Sequence, residues 1–328
     1  MNVLVIGGAG YIGSHTARVL RRAGLGVRIY DNLSTGFAFL AKGFELIVGD
    51  VHDSGKLLAA LQGCEAVMYF AANHFVGESV VNPRKYFRNN VEGGLSVLNS
   101  VLDSGSKFFI FSSTCAVYGS PEKMPITEQT PRLPVNPYGV SKAFFEQALE
   151  SYDTAYGLRS ARLRYFNAAG ADESGEIGEC HDPELHLIPL ALGAAAGFGE
   201  ELQLFGDDYP TPDGTCIRDY IHVMDLAEAH VMALQHLIAG NPSFTVNLGT
   251  GQGSSVKEVI TAVEEATGKK VPCRIVPRRA GDPPSLVADP AAAQKLLGWK
   301  AKRSLRDSVS TAWKWMQNQQ AVAGAALP

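Results

Sequence analysis

The residues Asn2–Gly13, "NVLVIGGAGYIG", decide the fold. The opening run is apolar and β-branched without interruption. A strand with one wet face would alternate polar and apolar residues, so this one is covered on both faces. The run stops at Gly7, Gly10 and Gly13, spaced G-x-x-G-x-x-G, and a helical pattern over 12–23 follows. A helix start leaves backbone N–H groups unsatisfied, and glycines let a ligand approach them closely. Strand, glycine loop and helix together therefore form a cradle for a dinucleotide pyrophosphate. A glycine-rich turn without a ligand is the competing reading, and the strand before and helix after argue against it.

Working outward, further strands are expected at 27–31, 44–50, 66–72, 107–113 and 160–167, with the first at 2–8. Helices are expected at 54–62, 83–103 and 138–156. This β-α alternation predicts an α/β fold of Rossmann type: a doubly wound parallel sheet with a smaller α/β substrate-binding domain. After Asn167 the texture turns polar and Gly-rich. A helix over 188–197, a short strand pair around 202–217, a helix over 222–238 and a strand in "FTVNLGT" that rejoins the first sheet are expected. The expected division is 1–167 plus about 219–249 for the dinucleotide domain, and 168–218 plus about 250–328 for the substrate domain. The Ala-rich tail at 321–328 is expected to be loose.

Asp31 ends the second expected strand, in "IYDN". A carboxylate there accepts hydrogen bonds from ribose hydroxyls and repels a 2′-phosphate, which favours NAD over NADP. Asp50 ends the third, and Val51 after it is placed beside the adenine.

The totals exclude several classes. The 328 residues are 46% apolar, enough for a substantial core. Net charge is −4 with no basic run, so no nucleic-acid or anionic-membrane partner is expected. The apolar run "LIPLALGAAAGFG" from Leu187 is too short to span a bilayer, and no basic segment of signal-peptide type precedes the first strand. The five cysteines are scattered and never in C-x-x-C spacing, so reduced thiols and a cytoplasmic location are expected.

"NPYGVSK", Asn136–Lys142, carries the chemistry. Asn136 suits a helix cap and Pro137 a first turn, which puts Tyr138 and Lys142 one turn apart on one face. A phenol titrates near 10, and a neighbouring ammonium and an oxidised nicotinamide both favour its phenolate. Thr114, at the end of the fifth strand in "FSSTCAVYG", offers a hydroxyl at the crevice where open α/β sheets bind ligands.

Those motifs, with "YDNLS", "VGESV", "NNVEGGL", "LRYFNAAGA", "GTCIRDYIHVMDLAEAH" and "RRAGD", extend over nearly the whole chain. The chain resembles the extended short-chain dehydrogenase/reductases and, within them, the UDP-glucose 4-epimerases. The resemblance implies NAD-dependent 4-epimerisation of a UDP-hexose through a transient 4-keto sugar. It implies Tyr138 as acid/base, Lys142 on the nicotinamide ribose and tuning Tyr138, and Thr114 bonding the same 4-oxygen. Gly7, Gly10, Tyr11, Ile12, Gly13, Asp31, Asn32, Asp50, Val51, Phe70, Asn89 and Phe166, with Tyr138 and Lys142, form the implied NAD set. Asn167, Leu187, Phe205, Arg218, Arg279 and Asp282, with Thr114 and Tyr138, form the implied UDP-sugar set. The two Arg supply the charge that a diphosphate requires. A homodimer is implied, with the helices 83–103 and 138–156 in its bundle.

Three positions depart from that pattern. His74 stands where Lys is frequent and His186 where Asn is frequent, so neither is given a contact. Leu286 stands where the residue thought to limit the sugar pocket lies, which leaves N-acetyl sugars open. Cys180, His181 and His186 are not spaced as a standard zinc motif, so no metal is expected. Cys115 and Ala116 follow Thr114 where dehydratases and decarboxylating relatives carry acids, which argues against both. The rival readings are 4-epimerisation of UDP-xylose or UDP-N-acetylglucosamine, a net-oxidation dehydrogenase that would have to release NADH each cycle, and a non-catalytic NAD-binding sensor that would not need Tyr138 and Lys142.

Overall fold

The computed structural model describes the chain except Ala280 and residues 326–328, with the backbone alone from 321 onward. Its first half runs β1 (Asn2–Ile6), α1 (Tyr11–Arg22), β2 (Gly26–Asp31), β3 (Glu45–Val48), α2 (Ser54–Leu61), β4 (Ala66–Tyr69), α3 (Val76–Val81), α4 (Pro83–Tyr86), α5 (Gly94–Ser104), β5 (Phe108–Thr114), α6 (Pro137–Tyr156) and β6 (Arg159–Tyr165). Then come β7 (Asn167–Ala169), α7 (Leu187–Ala196), β8 (Leu202–Phe205), β9 (Ile217–Arg218), β10 (Tyr220–His222), α8 (Val223–Ile238), β11 (Phe244–Leu248), β12 (Ser254–Ser255), α9 (Val256–Thr267), β13 (Cys273–Val276), β14 (Ser285–Leu286), α10 (Ala291–Leu297) and α11 (Leu305–Ala325).

A seven-stranded parallel sheet of order β11-β6-β5-β4-β1-β2-β3 is the frame. Its central strands β1 and β4 are almost wholly apolar because each face meets a different core. Val3 and Val5 enter a cluster with residues of α1, α8 and Trp299, while Leu4 and Ile6 enter one with residues of α2, α5 and α6. Each such aliphatic side chain taken fully from water contributes about 1.5–3 kcal/mol. Strand order reverses between β1 and β4, and such switch points open the ligand crevice of doubly wound sheets.

β1 and β4 stop short of their expected ends for local reasons, while β2 ends where expected and β5 runs on to Thr114. β1 ends at Ile6 because Gly7 turns left-handed, φ +81°. After Tyr69 the chain bends across the end of β1, and the N–H groups of Phe70 and Ala71 both reach the Ile6 carbonyl. The helix expected over 83–103 is interrupted by a π-helical stretch, Phe87–Gly93, between α4 and α5. β11 rejoins the sheet beside β6, as expected. The strands near 202 and 217 do not pair with each other. β8 pairs with β13, and β9 lies between β12 and β14, so both find partners after residue 250.

A second core joins α7, α9 and α11 through Ile188, Leu192, Val259, Val263 and Val309. α10 and Trp299 pack instead against the first core. The tail expected to be loose is helical as far as Ala325, and residues 326–328 lie outside the described residues. No helix among the described residues is long and apolar enough to cross a membrane.

Candidate active site

The glycine loop is cramped enough to require its glycines. A Cβ on Gly7 would stand 2.5 Å from the Ala71 nitrogen, and one on Gly13 would stand 2.3 Å from the Gly7 carbonyl oxygen. Gly10 caps α1 without any side-chain cap, and the first turn carries no acid, so that turn's donors stay available to an anion. Asp31 is buried, with Oδ1 accepting from Leu33 N at 2.8 Å and Oδ2 from Ala9 N at 2.9 Å. Burial pushes its carboxyl up, against those two backbone bonds. These features fit an NAD dinucleotide with its pyrophosphate on α1.

The other residues expected to hold NAD stand in different states. Asn32 is exposed and donates to Asp50 Oδ2 at 2.9 Å, Val51 is buried, and Phe70 lies half-buried with its ring 4.9 Å from His230. Asp50 lies beyond the end of β3 rather than at it. Tyr11 spends its hydroxyl on the Gly170 carbonyl at 2.6 Å, and Ile12 packs against the core. Asn89 donates to Asn90 at 3.0 Å. Asn90, which sequence reasoning passed over, donates to the Asn73 carbonyl at 2.9 Å and to Ser141 Oγ at 3.1 Å. The π stretch thus ties the β4 loop to the helix that carries Tyr138.

Asn136 caps α6, accepting from Gly139 N at 2.8 Å, and Pro137 opens the helix. Tyr138 and Lys142 therefore share a face, and the Tyr138 phenol lies beside the Thr114 hydroxyl at the end of β5. The three expected catalytic residues come together. Lys142 is 4% exposed and donates to the Ser112 carbonyl at 2.8 Å. Burial pulls its ammonium down to about 7, with Glu146 opposing. Burial also raises the Tyr138 phenol, which the Thr114 bond partly offsets. The lowering expected from Lys142 is not seen: burial is the first cause acting on the phenol and it raises it.

Behind this trio lies a network the sequence reading missed. Glu146, fully buried, accepts from Ser113 Oγ at 2.5 Å and from Arg164 Nε at 2.8 Å and Nη2 at 2.5 Å. Arg164 also donates to the Tyr118 hydroxyl at 2.8 Å. The available signal was spacing: Glu146 follows Lys142 by one turn on the face already turned inward.

The expected UDP-sugar residues lie where the later strands meet. Arg218 on β9 pairs with Asp282 at 3.0 Å, and Arg279 lays its guanidinium 3.9 Å from the Phe205 ring centre. Asn167 opens β7 and Leu187 opens α7. Phe166 is buried with Val117 and Tyr118, and Leu286 packs against the same cluster, as does Cys115 beside Thr114.

His181 and His186 come together with two residues that were left aside, Glu179 and Glu184, one ligand atom from each lying within 4.8 Å of the others. Cys180 is not part of the group. His74 stacks on His186 with ring centres 6.0 Å apart, and burial holds its imidazole neutral, down to about 3.

Comparison with known proteins places the chain. The UDP-glucose 4-epimerase of Halalkalibacterium halodurans is 48% identical over 318 residues, 96% of this chain and 95% of its own. A UDP-glucose 4-epimerase from Brucella ovis, solved in complex with NAD, superposes with a TM-score of 0.93 at 50% identity, covering 95% of this chain and 97% of that one. A UDP-glucose-4-epimerase from Stenotrophomonas maltophila, solved with NAD and formylated UDP-arabinopyranose, gives 0.94 at 44% identity over 99% and 100% of the two chains. A family model matches residues 3–249, so the chain belongs to the NAD dependent epimerase/dehydratase family.

Proposed function

We propose that the chain is an NAD-dependent isomerase that inverts C4 of a UDP-hexose, interconverting UDP-glucose and UDP-galactose. The observation that carries this is that the Tyr138 phenol, the Thr114 hydroxyl and the Lys142 amine meet at the C-terminal end of β5, in the same parallel sheet whose β1 runs into a glycine loop shaped for a dinucleotide. Relatives named for this reaction match over nearly the full length. When bound, NAD would supply reversible hydride chemistry at C4. Thr114 bonds the 4-oxygen and Tyr138 takes its proton, then gives it back after the 4-keto sugar has presented its other face. Lys142 holds the nicotinamide ribose from its fixed seat on the Ser112 carbonyl. Arg218 and Arg279 hold the diphosphate through both half-reactions, so the keto sugar turns without leaving.

The residue division is assigned as 1–167 plus about 219–249 for NAD and 168–218 plus about 250–328 for the UDP-sugar. The protein acts as a homodimer in the cytoplasm. Exposed apolar residues support the pairing: Val80 (61%), Val81 (82%), Phe87 (39%), Val140 (39%) and Phe144 (47%) lie on α3, the π stretch and α6. All five cysteines are free thiols, in keeping with a reducing compartment.

The test is incubation of the purified protein with UDP-galactose, UDP-xylose and UDP-N-acetylgalactosamine without added NAD, followed by separation of the products. UDP-glucose formed from UDP-galactose is the expected product. Retained NAD with no epimer from any of the three marks a non-catalytic NAD-binding protein instead, and NADH released in step with substrate marks a net dehydrogenase.

A further inference from the structure

The segment between β7 and α7 holds four side chains that the proposed reaction does not use. Glu179 is 4% exposed at its side chain, His181 9%, Glu184 22% and His186 44%. His181 Nδ1 lies 3.5 Å from Glu179 Oε1 and 3.3 Å from Glu184 Oε2. His186 Nδ1 lies 3.4 Å from Glu184 Oε1 and 2.7 Å from Glu179 Oε1. Imidazole and carboxylate ligands sit about 2.0–2.2 Å from zinc, and the edges of such a tetrahedron are about 3.3–3.5 Å long. Both His181 separations have that length, His186 reaches it with the other Glu184 oxygen, and one ligand atom from each of the four lies within 4.8 Å of the others.

The short contact points the same way. Glu179 Oε1 and His186 Nδ1 are both buried, and although 2.7 Å apart neither has a hydrogen-bond partner. A simple ion-pair cluster would have turned an N–H onto that oxygen. The surroundings fix the four groups. Glu184 Oε1 accepts from Leu185 N at 2.8 Å and His186 N at 2.9 Å, and the Glu179 carbonyl accepts from Trp315 Nε1 at 3.0 Å. The rings of His74 and Tyr11 wall the group, their centres 5.4 and 6.3 Å from that of His181.

We infer that Glu179, His181, Glu184 and His186 form a four-coordinate site for a divalent transition metal of the zinc class. Two imidazoles disfavour magnesium and calcium, which take oxygen ligands. The ion balances the two carboxylates and clamps the irregular segment that delivers Leu187 to the crevice, so its role is structural. The inference is independent of the reaction, because none of the four residues bonds the catalytic trio.

The full-length protein, with its bound NAD, is dialysed against a chelator and titrated with Zn²⁺ in competition with a chromophoric chelator. In parallel it is loaded with Co²⁺ and its visible spectrum recorded. One Zn²⁺ per chain, a higher unfolding temperature with Zn²⁺, and the intense visible bands of tetrahedral Co²⁺ are expected. His181→Gln and Glu184→Gln should each weaken binding by at least the roughly 100-fold that loss of an outer-shell group reaches. Their circular dichroism in chelator should match that of the parent, and if His181→Gln fails to fold, Glu184→Gln alone decides. No stoichiometric uptake overturns the site, as does uptake unchanged in the folded variants, or a weak six-coordinate Co²⁺ spectrum.

Discussion

The Lys142 amine lies 5.9 Å from the centre of the Tyr138 ring and 2.8 Å from the Ser112 carbonyl that accepts its hydrogen bond. The strand end therefore fixes where the charge sits, and one helical turn fixes where the phenol sits. Burial acts against both charged forms, pulling the amine down to about 7 and raising the phenol. The chain brings the phenol and the amine together while burial holds the phenol protonated; in the proposed reaction the charge of an oxidised cofactor would favour the phenolate.

Tyr138→Phe removes the hydroxyl proposed to carry the proton and keeps the ring. Turnover of UDP-galactose should fall by about 10²–10⁴-fold. NAD released by denaturation should still equal one per chain. Loss of NAD together with turnover would show that the hydroxyl holds the cofactor instead of the substrate proton.

Glu146→Leu leaves Arg164 buried beside an apolar group. Removing one partner of a buried pair typically costs about 3–5 kcal/mol. Chemical denaturation should show a loss of that order, and Glu146→Leu combined with Arg164→Leu should recover much of it. A double variant as unstable as the single one would mean that the network matters through Ser113 and Tyr118 and not through the ion pair.

The sheet and the crevice were legible because their signals are local. An unbroken apolar run, three glycines and a capped Tyr-Lys helix each fall within a dozen residues, and the structure gathers them as read. What was missed depends on distant partners. The strand at 202–205 pairs with 273–276, far along the chain, and nothing near residue 202 points there. α9 carried a readable start, the Ser255–Glu258 capping box, which went unused. The cluster at 179–186 was hidden for another reason: its four ligand atoms come together through irregular backbone, where neither helical nor strand periodicity predicts which way a side chain points.

Arg218→Gln removes a cation that Asp282 holds in place at 3.0 Å. A charge-assisted bond to a diphosphate contributes about 1.5–3 kcal/mol, so KM for UDP-galactose should rise by about 10–100-fold with a smaller change in kcat. Asp282→Asn should act in the same direction more weakly, since Arg218 keeps its charge and loses only its orientation. Unchanged KM in both variants would place the diphosphate elsewhere.

His230 sets a pH dependence whose sign follows from its burial. Its Nδ1 meets the Leu226 carbonyl at 2.8 Å, its Nε2 is buried without a partner, and burial pulls its imidazolium down to about 4. The unfolded chain titrates this group near 6.5, so below that pH it is the unfolded state that holds the extra proton. Stability should therefore be unaffected by His230 above about 6.5, decline as pH falls from 6.5 towards 4, and level off below, the full cost being about 3 kcal/mol. His15 and His222, also pulled down to about 4 with burial as the first cause, add to the same decline. His230→Phe keeps a ring against Phe70 and Tyr165, 4.9 and 5.9 Å away between centres. Denaturant midpoints measured between pH 7 and 4.5 should fall less steeply in this variant than in the parent, and parallel slopes would show that His230 takes up no proton on unfolding.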